Sequence, residues 1–239
     1  MQVIVMTSDN QYHCLDAYFY LWLKYFGLDC DTVICGFSPL QNSYPARFYS
    51  IGQFEDYPPH RWSDALIKVL DEVAEDVFIL MLGDYWLTRP VDVTAVKMMY
   101  DYMRQFEYVA KFDLTTDRLF ADGGGKYLFG YNTYDTLGYL DLIKSVPGSP
   151  YHLSLWGGIW RRDLLRQVLV HGETAQQIEL NGTHRLSQYG DEMLVLGTRQ
   201  GPMKHANVIQ GGKLNMDAMV GLPALTAKDT EELKEQGYL

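Results

Sequence analysis

The fold of this protein is decided by the stretch VFILMLGDYW, residues 77–86. Six apolar residues in a row are followed at once by Gly83 and Asp84 and then by two aromatic residues. A short, continuous apolar run is typical of a strand that is buried on both faces of a parallel sheet. Because open α/β sheets bind their ligands at the carboxyl ends of the strands, the stretch predicts a site centred on Asp84.

Composition narrows the class of protein. The 239 residues are 47% hydrophobic, which is ample for a sizeable core. The formal net charge of -10 argues against a sequence-independent binder of nucleic acid, because that role needs an excess of Lys and Arg. Three cysteines without metal spacing make a disulfide framework improbable. No apolar run reaches the roughly 20 residues of a membrane span. We therefore expect a cytoplasmic protein.

The first half of the chain alternates strand and helix patterns. Strand patterns fall at residues 3–6, 31–37, 48–51, 77–82 and 108–114, and helix patterns fall at 15–26, 63–75 and 94–106. A repeated β-α-β order implies a parallel sheet with right-handed crossovers. The prediction is an α/β fold, a single Rossmann-like domain with a mainly parallel central sheet flanked by helices.

The second half is less regular. A helix is expected after Asp163 and another over residues 191–198. Residues 121–126 form a glycine-rich turn, and a plain hairpin is favoured over a phosphate loop because no helix pattern follows. The tail from residue 226 is polar, with Thr230 expected to cap a short terminal helix.

Two strand-to-loop junctions carry candidate ligand-binding acids. Asp84 can hold a divalent cation, a ribose hydroxyl or a sugar hydroxyl, and the alternative is a cap of the following turn. Thr7 and Asp9 follow the first strand and should lie at the same sheet edge, although Asp-Asn after a strand is also ordinary turn chemistry.

Aromatic, acidic and basic candidates lie further along the chain. Trp156 precedes Gly157 and Gly158, so its ring can serve as a platform for a sugar or base, or can be a core residue beside a bulge. Gly211, Gly212 and Lys213 can place a cation on a diphosphate, or can form a hairpin turn. Four acids could include a general base, although each is more often a solvated side chain: Glu173, Glu179, Asp191 and Glu192.

Several common catalytic motifs do not occur in the sequence. The six histidines form no His-x-x-x-His pair, which argues against a zinc hydrolase. There is no Gly-x-Ser-x-Gly elbow, no Gly-x-x-x-x-Gly-Lys-Ser/Thr loop and no Gly-x-Gly-x-x-Gly after the first strand. These observations count against a serine hydrolase, a P-loop kinase and a dinucleotide oxidoreductase.

Taken together, these segments resemble GT-A type glycosyltransferases, in particular small bacterial and phage-encoded ones. The likeness rests on GDYWLTRPV at 83–91, which looks like a degenerate Asp-x-Asp segment, and on WGGIWRR at 156–162. It continues through the acidic stretch 173–179, GTHR at 182–185 and VIQGGK at 208–213. The resemblance implies a GT-A domain over residues 1–225, with a nucleotide-binding half (1–114), an acceptor half (115–225) and a polar tail (226–239).

The resemblance also implies an activity: transfer of a sugar, with inversion, from a nucleoside diphosphate sugar to an acceptor hydroxyl. Thr7, Asp9, Asp84 and Lys213 would then bind the donor, with Asp84 holding Mn²⁺ or Mg²⁺ if a metal is used. Trp86, Trp156, Gly157 and Gly158 would contact substrate. Glu179 would be the base, and Asp191 the substitute candidate. Gly83 and Trp86 stand where a second acid is usual, so one carboxylate of the pair is present.

Two other functions are compatible with the same residues. A nucleotidyltransferase shares this type of sheet, although a glycine-rich, lysine-bearing loop after the first strand is missing. A non-catalytic carbohydrate- or nucleotide-binding domain is the second alternative. The acceptor stays open between polysaccharide, protein and modified DNA, and the acidic composition leans against DNA.

Overall fold

The computed structural model describes residues 1–27, 29–120, 131–210, 213–215 and 224–239. In chain order the regular elements are β1 (Gln2–Met6), α1 (Leu15–Tyr25), β2 (Asp31–Gly36), β3 (Arg47–Ser50), α2 (Trp62–Glu72), β4 (Val77–Leu82), β5 (Tyr85–Leu87), α3 (Val93–Gln105), β6 (Val109–Asp113), β7 (Tyr131–Leu137), β8 (Leu140–Ser145), β9 (Gly158–Arg161), α4 (Arg162–Val168), α5 (Ala175–Ser187), β10 (Leu194–Thr198), β11 (His205–Asn207), β12 (Ile209–Gln210), β13 (Lys213–Leu214) and α6 (Ala227–Glu235).

The described strands form one large central sheet in the order β3-β2-β1-β4-β9-β6-β10-β8-β7. Strands β3, β2, β1 and β4 are mutually parallel, and β6 is parallel to β10. Strand β9 runs antiparallel between β4 and β6, so all six of those strands point the same way. The predicted α/β class with a mainly parallel central sheet flanked by helices is confirmed.

The apolar run of β4 is explained by burial on both faces. Ile79 and Met81 pack in a core with α1 and α3, whereas Phe78 and Leu80 pack in a second core with α2 and α4. Successive side chains of a strand point to opposite faces, so a strand between two helical layers needs apolar residues at every position. The sheet therefore carries β4 through the centre of the molecule to Gly83 and Asp84.

One expectation for the second half was wrong, and one helix was missed. Residues 194–198, expected in a helix, form strand β10, which pairs with β6 and β8 and is buried throughout. Helix α5 was not predicted, although Thr174 and Gln177 form the capping box at which it begins. The turn at 121–126 lies outside the described residues.

The C-terminal tail is docked on α1. Its helix α6 is capped by Thr226, not by Thr230, which lies inside the first turn. Leu233 is fully buried, and the buried Asp229 accepts hydrogen bonds from Lys24 and Tyr25. The domain boundaries at 114 and 225 stay predictions. No helix in the described part of the chain has the length and apolar character needed to cross a membrane.

Candidate functional site

A cleft of about 260 Å³ opens at the carboxyl ends of β1 and β4. Its lining combines polar side chains with aromatic rings and includes Thr7, Ser8, Asn10, Gln11, Phe37, Phe54, Tyr57, Trp62, Asp84 and Ala175. Among the described lining residues, Asp84 is the one with a charged side chain. The cleft is therefore suited to a planar, uncharged group with hydrogen-bonding edges.

Asp84 is held at the floor of the cleft by backbone hydrogen bonds on both sides. The Gly83 N–H donates to the Met6 carbonyl at 2.9 Å, and the Val208 N–H donates to the Asp84 carbonyl at 2.9 Å. Burial raises the pKa of the Asp84 carboxyl to about 6. A carboxylate kept partly out of water is ready to accept a ligand hydroxyl or a cation, since either would replace its lost solvation.

Gly83 explains why only one acid is present at this turn. A Cβ placed on Gly83 would lie 3.1 Å from Thr7 Oγ1 and 3.3 Å from Leu15 Cδ2, so a larger residue has little room. The Thr7 hydroxyl is buried and has no hydrogen-bond partner among the described residues. Thr7 and Asp84 thus meet at the cleft, and both retain unused hydrogen-bonding capacity.

Asp9 lies beside the cleft but is engaged within the protein. Its carboxylate accepts hydrogen bonds from the Ser38 backbone N–H, at 3.1 Å, and from the Ser38 hydroxyl. Burial opposes ionisation of Asp9, but these hydrogen bonds outweigh it and lower its pKa. Asp9 therefore fastens the loop after β1 to the loop after β2.

Trp86 and Trp156, the two tryptophans predicted to contact substrate, differ in exposure. Trp86 is fully buried in β5, opposite Ala206 of β11, which is a packing position rather than a surface platform. Trp156 is 36% exposed, and its ring lies 5.5 Å from that of Tyr85 and 5.0 Å from that of His205, measured between centroids. Of these two tryptophans, Trp156 is therefore the one that is accessible to a ligand.

The two glycines after Trp156 face other side chains rather than an open site. A Cβ on Gly157 would lie 3.0 Å from Met81 Sδ, and a Cβ on Gly158 would lie 2.7 Å from Lys111 Cε. A side chain at either position would therefore have to displace Met81 or Lys111. That Gly157 and Gly158 contact substrate stays a prediction.

The structure separates the two candidate bases. Glu179 lies on α5 one turn after the cleft-lining Ala175, and its Oε1 accepts a hydrogen bond from the Leu155 N–H at 2.8 Å. Burial raises the pKa of the Glu179 carboxyl. Asp191 precedes β10 at the amino-terminal edge of the sheet, its side chain is 74% exposed, and it pairs with Lys144 at 3.0 Å. Of the two candidates, Glu179 is therefore on the Asp84 side of the sheet and Asp191 is at the opposite edge.

Two further predicted residues, Glu173 and Lys213, lie outside the lining of the cleft. Glu173 forms a two-pronged hydrogen bond with Arg185, so it is a structural ion pair. Lys213 is exposed on β13, and its hairpin is connected to the site because Val208 bonds both Asp84 and Asn215. Gly211 and Gly212 lie outside the described residues.

Sequence reasoning missed a buried ionic cluster at the end of β6. Lys111 and Asp113 form an ion pair, and Arg118 Nε donates to Asp113 at 3.0 Å. Burial opposes ionisation of Asp113, but the two cations outweigh it and lower its pKa. The signal was present in the sequence VAKFD, where a Lys and an Asp two positions apart in a buried strand must share one face.

The described residues do not supply a complete metal site. No group of three or more His, Cys, Asp or Glu side chains gathers among them in a way that could hold an ion. Asp84 could contribute one oxygen ligand, and a divalent cation there would take its other ligands from a diphosphate and water. One carboxylate at this position thus fits a divalent cation that is bound together with a nucleotide better than a cation that is bound by the protein alone.

No family model and no curated protein matches this chain. Among solved structures, it is similar to S. aureus TarS 1-349, with 9% identity, 85% of this chain and 59% of that chain covered, and a TM-score of 0.49. It is similar to UTP-bound UGPase from Acinetobacter baumannii, with 11% identity, 99% of both chains covered and a TM-score of 0.48. It is also similar to CMP:2-keto-3-deoxy-manno-octonic acid synthetase complexed with CTP, with 13% identity, 82% and 88% covered and a TM-score of 0.44. Because these identities and scores are low, they assign no activity to this chain.

Proposed function

We propose that this chain is a glycosyltransferase that moves a sugar from a nucleoside diphosphate sugar to an acceptor hydroxyl, with inversion at the transferred carbon. The observation that carries the proposal is the placement of Asp84 and Glu179, two carboxyls whose pKa values are raised by burial, on the same edge of the sheet. Both are close to the cleft, Asp84 as a lining residue and Glu179 one turn from Ala175.

The cleft would hold the nucleoside of the donor. The rings of Phe37, Phe54, Tyr57 and Trp62 supply apolar surface for a base, and the loop after β1 supplies hydroxyl and amide groups. The free Thr7 hydroxyl and the Asp84 carboxylate would hydrogen-bond ribose or sugar hydroxyls. Lys213, and a Mn²⁺ or Mg²⁺ ion bound with the donor, would offset the charge of the diphosphate.

Glu179 would act as the general base. Its Oε1 is occupied by Leu155, and its Oε2 accepts no hydrogen bond from the described residues, so one carboxylate oxygen can receive the proton of an acceptor hydroxyl. As that proton moves to Glu179, the acceptor oxygen bonds to the anomeric carbon and the bond to the diphosphate breaks, releasing the nucleoside diphosphate. Trp156, next in sequence to Leu155, would present its exposed face to the acceptor sugar.

The described cleft gives less support to nucleotidyl transfer. That reaction brings a triphosphate into the site and releases pyrophosphate, and its charge requires cations nearby. No Lys, Arg or His is found among the described residues that line the cleft. A binding domain without catalysis would have no need for the carboxyl of Glu179 to be held free at one oxygen.

A ligand and turnover screen tests the proposal. Thermal shift and calorimetry with UDP, GDP and CDP, with and without Mn²⁺, should identify one binding nucleotide, and the matching nucleotide sugars should be hydrolysed or transferred slowly. Asp84→Asn should weaken binding of the donor, whereas Asp101→Asn, on the exposed face of α3, should not. Formation of pyrophosphate from a nucleoside triphosphate and a sugar phosphate would favour the nucleotidyltransferase. Binding of sugars without any nucleotide would contradict both enzymes.

A further inference from the structure

One peptide group lies between a buried cation and the carboxylate of Glu179. Lys111 Nζ donates to the Ser154 carbonyl at 2.7 Å, and the Leu155 N–H donates to Glu179 Oε1 at 2.8 Å. The carbonyl of Ser154 and the N–H of Leu155 belong to the same planar amide, on which they point in opposite directions. Lys111 and Glu179 are therefore joined by two hydrogen bonds in series.

Among the described residues, Lys111 and Arg118 are both paired with the carboxylate of Asp113. Lys111 is fully buried, and it pairs with Asp113, which also accepts from Arg118. Two cations thus share one carboxylate, and the nearby His152 is held neutral at physiological pH because burial lowers its pKa to about 4. The cluster thus places the ammonium group of Lys111 directly on the Ser154–Leu155 amide, at a depth where screening by water is weak.

We propose that Lys111 is a positioning residue for the base: through the Ser154–Leu155 amide it fixes Glu179 Oε1 and stabilises the ionised carboxylate. A cation on the carbonyl polarises the amide and makes its N–H a stronger donor. That bond orients the carboxylate so that Oε2 is the oxygen left for the acceptor hydroxyl. The inference rests on the proposed function, because it takes Glu179 as the base.

No other charge among the described residues competes for this role. On α5 itself, the neighbouring Arg185 is committed to Glu173 by two hydrogen bonds. From β6, Lys111 is the described charged group whose field lowers the pKa of Glu179, against the larger effect of burial. Asp113 and Arg118 are linked to this pair through the ion pair that Asp113 forms with Lys111.

The test is a titration of the Glu179 carboxyl by ¹³C NMR, with Glu179→Gln to assign the signal. In Lys111→Met the pKa of Glu179 should rise by about one pH unit, because a nearby positive charge is lost. In Asp113→Asn it should fall, because Lys111 is then less neutralised. If Lys111 only packed the loop, both variants would expose Glu179 to water and lower its pKa. A fall or no change in Lys111→Met would therefore overturn the inference.

Two further readouts keep the test decisive. If Lys111→Met does not fold, the same question can be tested in the wild-type protein. The ¹⁵N chemical shift of Lys111 Nζ should then change with pH as Glu179 titrates. A chemical shift that does not change over this titration would overturn the inference. In turnover assays, the acid limb of the profile of kcat against pH should shift to higher pH in Lys111→Met, whereas the KM for the donor should stay unchanged. If the titration of Glu179 depends on Lys111 but no nucleotide sugar is turned over, the proposed function would be contradicted and the link between Lys111 and Glu179 would be supported.

Discussion

Gly158 and Lys111 fit together across the β6–β9 pair so closely that a Cβ at position 158 would lie 2.7 Å from Lys111 Cε and 3.2 Å from the Phe112 carbonyl oxygen. Lys111 cannot easily retreat, because its Nζ is bound to Asp113 and to Ser154. Gly158 therefore packs directly against Lys111, the residue proposed to position Glu179.

Gly158→Ala should destabilise the protein. Overpacking a tight site typically costs about 1–3 kcal/mol, and the upper part of that range is expected because one of the two contacts is to backbone. Equilibrium urea unfolding measures the loss. Gly197→Ala in β10 is the matched control, since its Cβ would find an ordinary distance of 3.5 Å to Asp113 Cβ. Equal stability of the two variants would contradict the packing described here.

Asp84→Asn should stabilise the protein at neutral pH while impairing donor binding. Burial raises the pKa of Asp84 from 3.8 to about 6, so the folded state holds this proton more tightly than the unfolded state. Stability then falls as the pH rises from about 4 to 6, and at higher pH the ionised carboxylate costs about 3 kcal/mol, at about 1.4 kcal/mol per pKa unit.

The measurement is the free energy of unfolding of wild type and Asp84→Asn from pH 4 to pH 8. The variant should be more stable at pH 8, and the difference should vanish near pH 4. Asp101→Asn serves as the exposed control. A difference that is constant with pH would mean that the charge of Asp84 is not the cause.

The sequence was sufficient for β4, because burial between two helical layers leaves a continuous apolar run that needs no knowledge of its neighbours. It was not sufficient for β10, where LVLGT after Gly190 and two acids also fits a helix end. That strand forms because β6 and β8 offer hydrogen-bonding edges on either side. Such pairing between distant segments is not visible in a local pattern.

The residues of the candidate site also divide into those that the sequence could predict and those that it could not. Asp84 could be predicted because it directly follows a recognisable strand. The burial of Trp86 could not, because it depends on β11, more than a hundred residues later in the chain. The separation of Glu179 from Asp191 depends on β10, because Asp191 lies directly before that strand, at its amino-terminal end, and this was lost once β10 was taken for a helix.

Asp229→Ala should loosen the C-terminal helix from α1. Asp229 is fully buried and accepts from Lys24 Nζ at 2.8 Å and Tyr25 Oη at 2.6 Å, and it completes the capping box with Thr226. The expected loss of stability is about 3 kcal/mol, since hydrogen bonds to a charged group and a helix cap are removed together. Amide hydrogen exchange across α6, together with urea unfolding, measures it.

The control for this variant is Glu231→Ala, an exposed position on the same helix. Burial opposes ionisation of Asp229, but its bonds to Lys24, Thr226 and Tyr25 outweigh it and lower its pKa. Its contribution should therefore be present at neutral pH and be lost as the pH falls through that lowered pKa. Unchanged exchange in α6 would show that Asp229 does not hold the helix on α1.

Glu179→Gln and Asp191→Asn should separate the two acids that the sequence left as alternatives. Glutamine keeps the shape and the acceptor oxygen for the Leu155 N–H but cannot take a proton, so kcat for sugar transfer should fall by about 10²- to 10⁴-fold. The dissociation constant of the nucleotide should change little, because Glu179 is outside the described lining of the nucleoside cleft.

Asp191→Asn removes only a pairing with Lys144 at the opposite edge of the sheet, where an exposed ion pair contributes about 0–1 kcal/mol, and should leave kcat unchanged. Steady-state kinetics with the donor found by the ligand screen, alongside calorimetry with the nucleoside diphosphate, gives both quantities. A large loss of kcat in Asp191→Asn with little effect of Glu179→Gln would transfer the role of base away from the cleft and would contradict the site described here.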